Sequence, residues 1–143
     1  MTTNKHHPRR QARVAVFQGL YALTISGEPV EKVIHDLWER YSFERPGREF
    51  VQLLLTLVDD HRQWIEETIK QHLQNWDYER VALLDRLILQ MAITEIHFVK
   101  DVPPKVSIAE AIEIAKEYST EESSAFVNGI LDAVYKEYQA QQK

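Results

Sequence analysis

The sequence predicts an all-α protein, a compact bundle of six to seven helices joined by short turns. Three observations carry this. Apolar residues recur at three- and four-residue spacing almost everywhere, which is the signature of helices with one buried face. Only four glycines and five prolines punctuate the chain. No run alternates apolar and polar residues for long enough to read as a strand. A chain of 143 residues that is 44% hydrophobic suits a single domain over 1–143 with a sizeable core. Residues 1–8, polar and basic, are expected to be flexible.

Helix 1 is expected from about Arg9 to Ile25, with Pro8 suited to its first turn and Ser26-Gly27 ending it. Pro29 opens a second helix that continues to about Tyr41, and Pro46-Gly47 is the next expected break. Phe50, Leu54, Leu57, Trp64, Ile65, Ile69 and Leu73 then mark a long helix to about Asn75, with Asp59-Asp60 as the point where it can divide. Asp77 opens the next helix, which reaches about Val99 and is closed by Asp101-Val102-Pro103-Pro104. Ser107 with Glu110, and Ser119 with Glu122, read as capping boxes, in which each serine accepts from the N3 amide and each glutamate reaches back. They announce two final helices, from about Ile108 to Tyr118 and from about Thr120 to Tyr138.

Composition excludes several functions. With no cysteine there is no disulfide scaffold, thiolate metal site or cysteine nucleophile. The first residues lack the apolar run of a signal peptide. The longest apolar stretches, such as Val51–Val58, are too short to span a bilayer, so a cytoplasmic protein without membrane contact is expected. The six histidines, His6, His7, His35, His61, His72 and His97, form no H-E-x-x-H and no i, i+4 pair. Neither a phosphate loop nor a G-x-S-x-G occurs. No enzyme, metal or cofactor is therefore expected.

Charge is unevenly placed. Residues 1–27 hold Lys5, Arg9, Arg10 and Arg13 and no acid, a charge of +4. The remaining 13 basic and 22 acidic residues leave −9. A positive end on an acidic body can steer a polyanion to one place; a solvated basic tail is the plainer reading.

On helix 1, Ala12, Val16, Gly19, Leu20 and Leu23 form the core stripe, and Arg10, Arg13, Phe17 and Tyr21 fall on a second stripe beside it. Guanidinium groups pair with phosphates and aromatic faces stack on unpaired bases, so this interleaving suits single-stranded RNA. Phe17 can equally be a core aromatic, whereas the Tyr21 hydroxyl wants a polar neighbour. Further along, Glu95 projects onto the middle of the apolar stripe Val81, Leu84, Ile88, Met91 and Ala92, and Asp85 onto its edge. Ten residues put these acids about 15 Å apart along a helix, too far to act on one bond. They are expected to anchor the fold by accepting from backbone amides or an arginine. On the last helix, Val127, Ile130, Leu131 and Val134 form the core stripe and Phe126 lies to its side.

Three segments together resemble the NusB family. One is Arg9-Arg10-Gln11-Ala12-Arg13 continuing through Gln18-Gly19-Leu20-Tyr21. Another is Leu84-Asp85-Arg86-Leu87-Ile88-Leu89 through Thr94-Glu95-Ile96. The most specific runs from Val102-Pro103 through Val106-Ser107-Ile108-Ala109-Glu110-Ala111 to Phe126-Val127-Asn128-Gly129-Ile130-Leu131-Asp132. The resemblance implies two helical halves and a transcription antitermination factor. It implies binding of boxA RNA in nascent transcripts, notably rRNA operon leaders, with the ribosomal protein NusE and the transcribing RNA polymerase complex. Carried over by motif, the RNA contacts fall on Arg9, Arg10, Arg13 and Tyr21, and on Glu122, Ser123 and Phe126. Ala109 departs from the asparagine usual before Glu110, and Glu122 stands where aspartate is common. Two other readings are a NusB-like module acting in rRNA maturation and a helical protein-binding adaptor without RNA. Monomer and homodimer, the latter hiding the arginine face, are both compatible with the sequence.

Overall fold

The computed structural model describes residues 8–74 and 77–142. The expected flexible segment falls outside them apart from Pro8, and so does the expected helix end at Asn75. Seven α-helices and no strand occur among the described residues, and they fall into two compact units, Met1–Asp60 and His61–Lys143. None of these helices is long and apolar enough to cross a membrane.

The first unit holds α1 (Pro8–Ser26), α2 (Val30–Arg40) and α3 (Arg45–Asp60), with α1 packed on both of the others. Ala12, Ala15, Val16, Leu20 and Leu23 are buried along α1, as its periodicity requires. Gly19 lets the helices close up: a Cβ there would lie 3.2 Å from the Leu55 methyls and 3.3 Å from Leu37 Cδ1. Gly27 ends α1 in the left-handed region at φ 69°, where its N–H donates to the Leu23 carbonyl at 2.9 Å. The expected break at Pro46-Gly47 is instead the first turn of α3, which begins at Arg45. A first-turn N–H has no intrahelical partner, so proline loses nothing there.

The second unit holds α4 (Arg62–Gln71), a 3-10 turn (Tyr78–Arg80), α5 (Leu83–Phe98), α6 (Pro104–Tyr118) and α7 (Glu121–Gln141). The chain does divide near Asp60, where α3 ends and His61 precedes α4. Asp77 opens the 3-10 turn rather than the helix, which starts six residues later. α5 is the central element: Leu87 to Ile96 is buried without interruption, and it packs against α4, α6 and α7.

Both expected capping boxes are displaced. α6 begins at Pro104 behind Pro103, which places Ser107 inside the helix and buried. Its hydroxyl donates to Glu95 Oε1 at 2.9 Å. Glu95 is 1% exposed, as anticipated, and this serine hydroxyl is one of its donors. α7 is capped by Thr120, whose hydroxyl accepts from the Ser123 amide at 3.0 Å. Ser119, one position earlier, closes α6 and turns its side chain elsewhere.

Candidate nucleic-acid interface

Four of the anticipated site residues lie on α1, and the structure separates them. Arg10 is exposed, and Arg9 is half-buried with its guanidinium 4.7 Å from the centre of the Phe50 ring. Arg13, one turn on, is only 1% exposed and lies 5.2 Å from the same ring. It is thus part of the wall between α1 and α3. Phe17 is 4% exposed and belongs to the core, whereas Tyr21 is 46% exposed. Four residues of helix turn a side chain by about 40°, enough to pass from the packed face to its rim.

This placement predicts opposite behaviour for neighbouring arginines. Replacing Arg9 and Arg10 with alanine should make the log–log salt slope for single-stranded RNA shallower by about 1.4, from about 0.7 per phosphate contact. The melting temperature should barely move. Arg13→Ala should cost about 2–5 kcal/mol of stability, as for other large buried side chains cut to alanine. Equal melting temperatures for the Arg10→Ala and Arg13→Ala proteins would contradict the placement.

The other three residues meet around one cavity at the start of α7. Its volume is about 340 Å³, and Arg80, Asp85, Thr120, Glu122, Ser123 and Phe126 are among its lining residues. The buried Asp85 carboxylate organises this end of the unit. Ser123 Oγ donates to Asp85 Oδ2 at 3.0 Å, and Ser119 Oγ lies 3.3 Å from Oδ1 and 2.9 Å from Ser123 Oγ. Asp85 sits in the first turn of α5, where the helix dipole favours a negative charge. It is therefore a structural anchor as expected, although the donors are hydroxyls. The half-buried Phe126 and exposed Glu122 stand on α7 beside this clasp. A flat apolar face, a cationic Arg80 and hydroxyl and carboxylate groups in one recess suit a base with its sugar–phosphate.

Arg80 is the member that the sequence did not single out. It lies in the 3-10 turn, which has no apolar period to mark it. Its nearest signal is the charge of Asp77-Tyr78-Glu79-Arg80 ahead of an apolar helix.

Residues 10–136 match the NusB family. The chain belongs to the NusB family. It is 42% identical over 130 residues to the transcription antitermination protein NusB of Methylacidiphilum infernorum, covering 90% of this chain and 91% of that protein. It is similar to the solved NusB of T. maritima at a TM-score of 0.83 and 36% identity, covering 96% of this chain and 94% of the other. Antitermination factors NusB and NusE in complex with dsRNA give a TM-score of 0.84 at 26% identity, covering 92% of this chain and 98% of the solved one. The all-α architecture seen here is thus the NusB fold.

One further cluster bears on metals. His35, Asp36 and Glu39 on α2 bring three potential ligand atoms within 4.8 Å of one another. All three are exposed, and Asp36 is already paired with Lys32 at 2.9 Å.

Proposed function

We propose that this chain is a cytoplasmic transcription antitermination factor without enzymatic activity. It holds the boxA segment of nascent RNA, notably in rRNA operon leaders, jointly with the NusE ribosomal protein and within the transcribing polymerase complex. The observation that carries this reading is family membership over nearly the whole chain, with a solved relative bound to both NusE and RNA. Arg9, Arg10 and Tyr21 on α1, and Glu122, Ser123 and Phe126 on α7, form the RNA contacts in this reading, with the buried Arg13 beside Phe50 like Arg9.

Charge explains why a partner is needed. A net −5 chain with a small basic segment attracts RNA weakly, while its acidic remainder suits a basic ribosomal protein. Docking that protein adds positive surface and contacts. Calorimetric titration of boxA RNA is expected to give tighter binding when NusE is present, and RNA is expected to tighten the NusE contact by the same factor. Identical RNA affinity with and without NusE would sink the cooperative model.

A further inference from the structure

The second unit carries another cavity, of about 270 Å³, that none of the RNA-contact residues lines. Trp64, Glu67 and Gln71 of α4, His97 of α5, and Glu137 and Gln141 of α7 stand on its walls. The aromatic part is held in place. Trp64 meets the His97 ring edge-on at 4.8 Å and Phe98 at 5.6 Å, and Tyr138 meets His97 at 5.0 Å. Trp64 nevertheless remains 42% exposed, a large apolar ring open to solvent.

Its charged groups are both carboxylates, Glu67 and Glu137. His97 Nδ1 is 3.1 Å from the Ile93 carbonyl, which can only accept, so Nδ1 carries the proton. Burial lowers the pKa of this histidine, so its ring stays neutral and Nε2 is an acceptor with no donor among the described residues. The Glu137 carboxylate is 3.5 Å from His72 Nε2, and Glu67 is 4.0 Å from Lys70 Nζ, so both are only loosely held. The Thr68 hydroxyl is already spent on the Trp64 carbonyl at 2.9 Å. The cavity therefore offers two carboxylates, an imidazole lone pair, two glutamine amides and an indole ring. The ligand that matches the carboxylates, the imidazole lone pair and the indole face has several donors, a positive charge and a flat face. Guanidinium has all three: it pairs with carboxylates bidentately and stacks on indole. An anion would meet two carboxylates.

We propose that this cavity seats an arginine side chain presented by a basic protein partner. A protein-borne arginine fits better than the free amino acid, whose α-carboxylate would sit against Glu67 and Glu137. The residues beyond 27, which carry −9, would draw in a basic segment over a longer range.

The test uses the full chain and NMR of its tryptophan indole N–H groups, with the Trp64 signal assigned from Trp64→Phe. Acetyl-Gly-Arg-Gly-amide should shift that signal saturably. The citrulline peptide, equal in shape but neutral, should bind about tenfold more weakly for want of a charge-assisted pair. Free arginine should also bind more weakly than the peptide. Glu137→Gln, at an exposed position, should lower affinity for the arginine peptide about tenfold with an unchanged melting temperature. It should leave boxA binding as it was, so failure here is distinct from failure of the RNA reading. No saturable shift, equal binding of the citrulline peptide, or wild-type affinity in Glu137→Gln would each overturn the guanidinium site. Free arginine binding as tightly as the peptide would overturn the protein partner.

Discussion

Replacing Glu95 with alanine should lower the unfolding free energy by about 3 kcal/mol, combining a lost buried side chain with a stranded donor. Glu95 is buried on the central helix, and Ser107 of α6 donates to its carboxylate at 2.9 Å. Alanine leaves both an empty volume and a buried serine hydroxyl without that acceptor. For a chain of this length the melting temperature should fall by roughly 10 °C. Glu95→Gln keeps an oxygen for Ser107 and should lose less. Urea unfolding monitored by far-UV circular dichroism reads both variants. A loss below about 1 kcal/mol for Glu95→Ala, the net worth of an ordinary hydrogen bond, would show that this carboxylate does not hold α5 to α6.

Phe126→Ala should weaken boxA RNA binding by roughly 1–3 kcal/mol, the usual worth of one base–aromatic stack, with little change in stability. Phe126 is only half-buried and lines the cavity at the start of α7, while Val127, Ile130, Leu131 and Val134 fill the core from the same helix. An aromatic ring that packed the junction between α6 and α7 would behave otherwise. Its loss would cost about 3–5 kcal/mol, and binding would fall only because the protein unfolded. Thermal melts and RNA titrations on the same preparation separate the two. A large drop in melting temperature would count against stacking. Glu122 and Ser123 make a useful contrast: Ser123 is tied into the Asp85 clasp, so its replacement should disturb the start of α7 as well as binding.

Much of this molecule is legible in the sequence because helix formation is local. Periodicity with its punctuation yields six to seven helices, the end of α1 at Ser26-Gly27 and the division near Asp59-Asp60. The same pattern shows that Glu95 must be buried, since it falls on an apolar stripe whatever surrounds the helix. Helix starts were less legible, because a serine near a helix start can cap it or bond something better. Ser107 and Ser119 both read as caps, yet one hydroxyl serves Glu95 of α5 and the other turns to Asp85 and Ser123. A buried carboxylate rewards a donor more than an exposed amide does, and only packing brings that carboxylate within reach.

The site divides along the same line. The arginine-rich start of α1, the motif around Phe126 and the resemblance they carry are properties of the chain alone. Which of those arginines faces solvent is not. Arg9 and Arg13, one turn apart, lie against Phe50, far along the chain, while Arg10, one residue or about 100° round the helix from Arg9, is exposed. Arg80 reaches the Phe126 cavity through a 3-10 turn with no periodic signal, and Trp64, His97 and Glu137 converge from three helices. Spacing within one helix predicts which residues share a face. Which faces meet, and so which charges are buried and which recesses open, is decided only when distant segments pack.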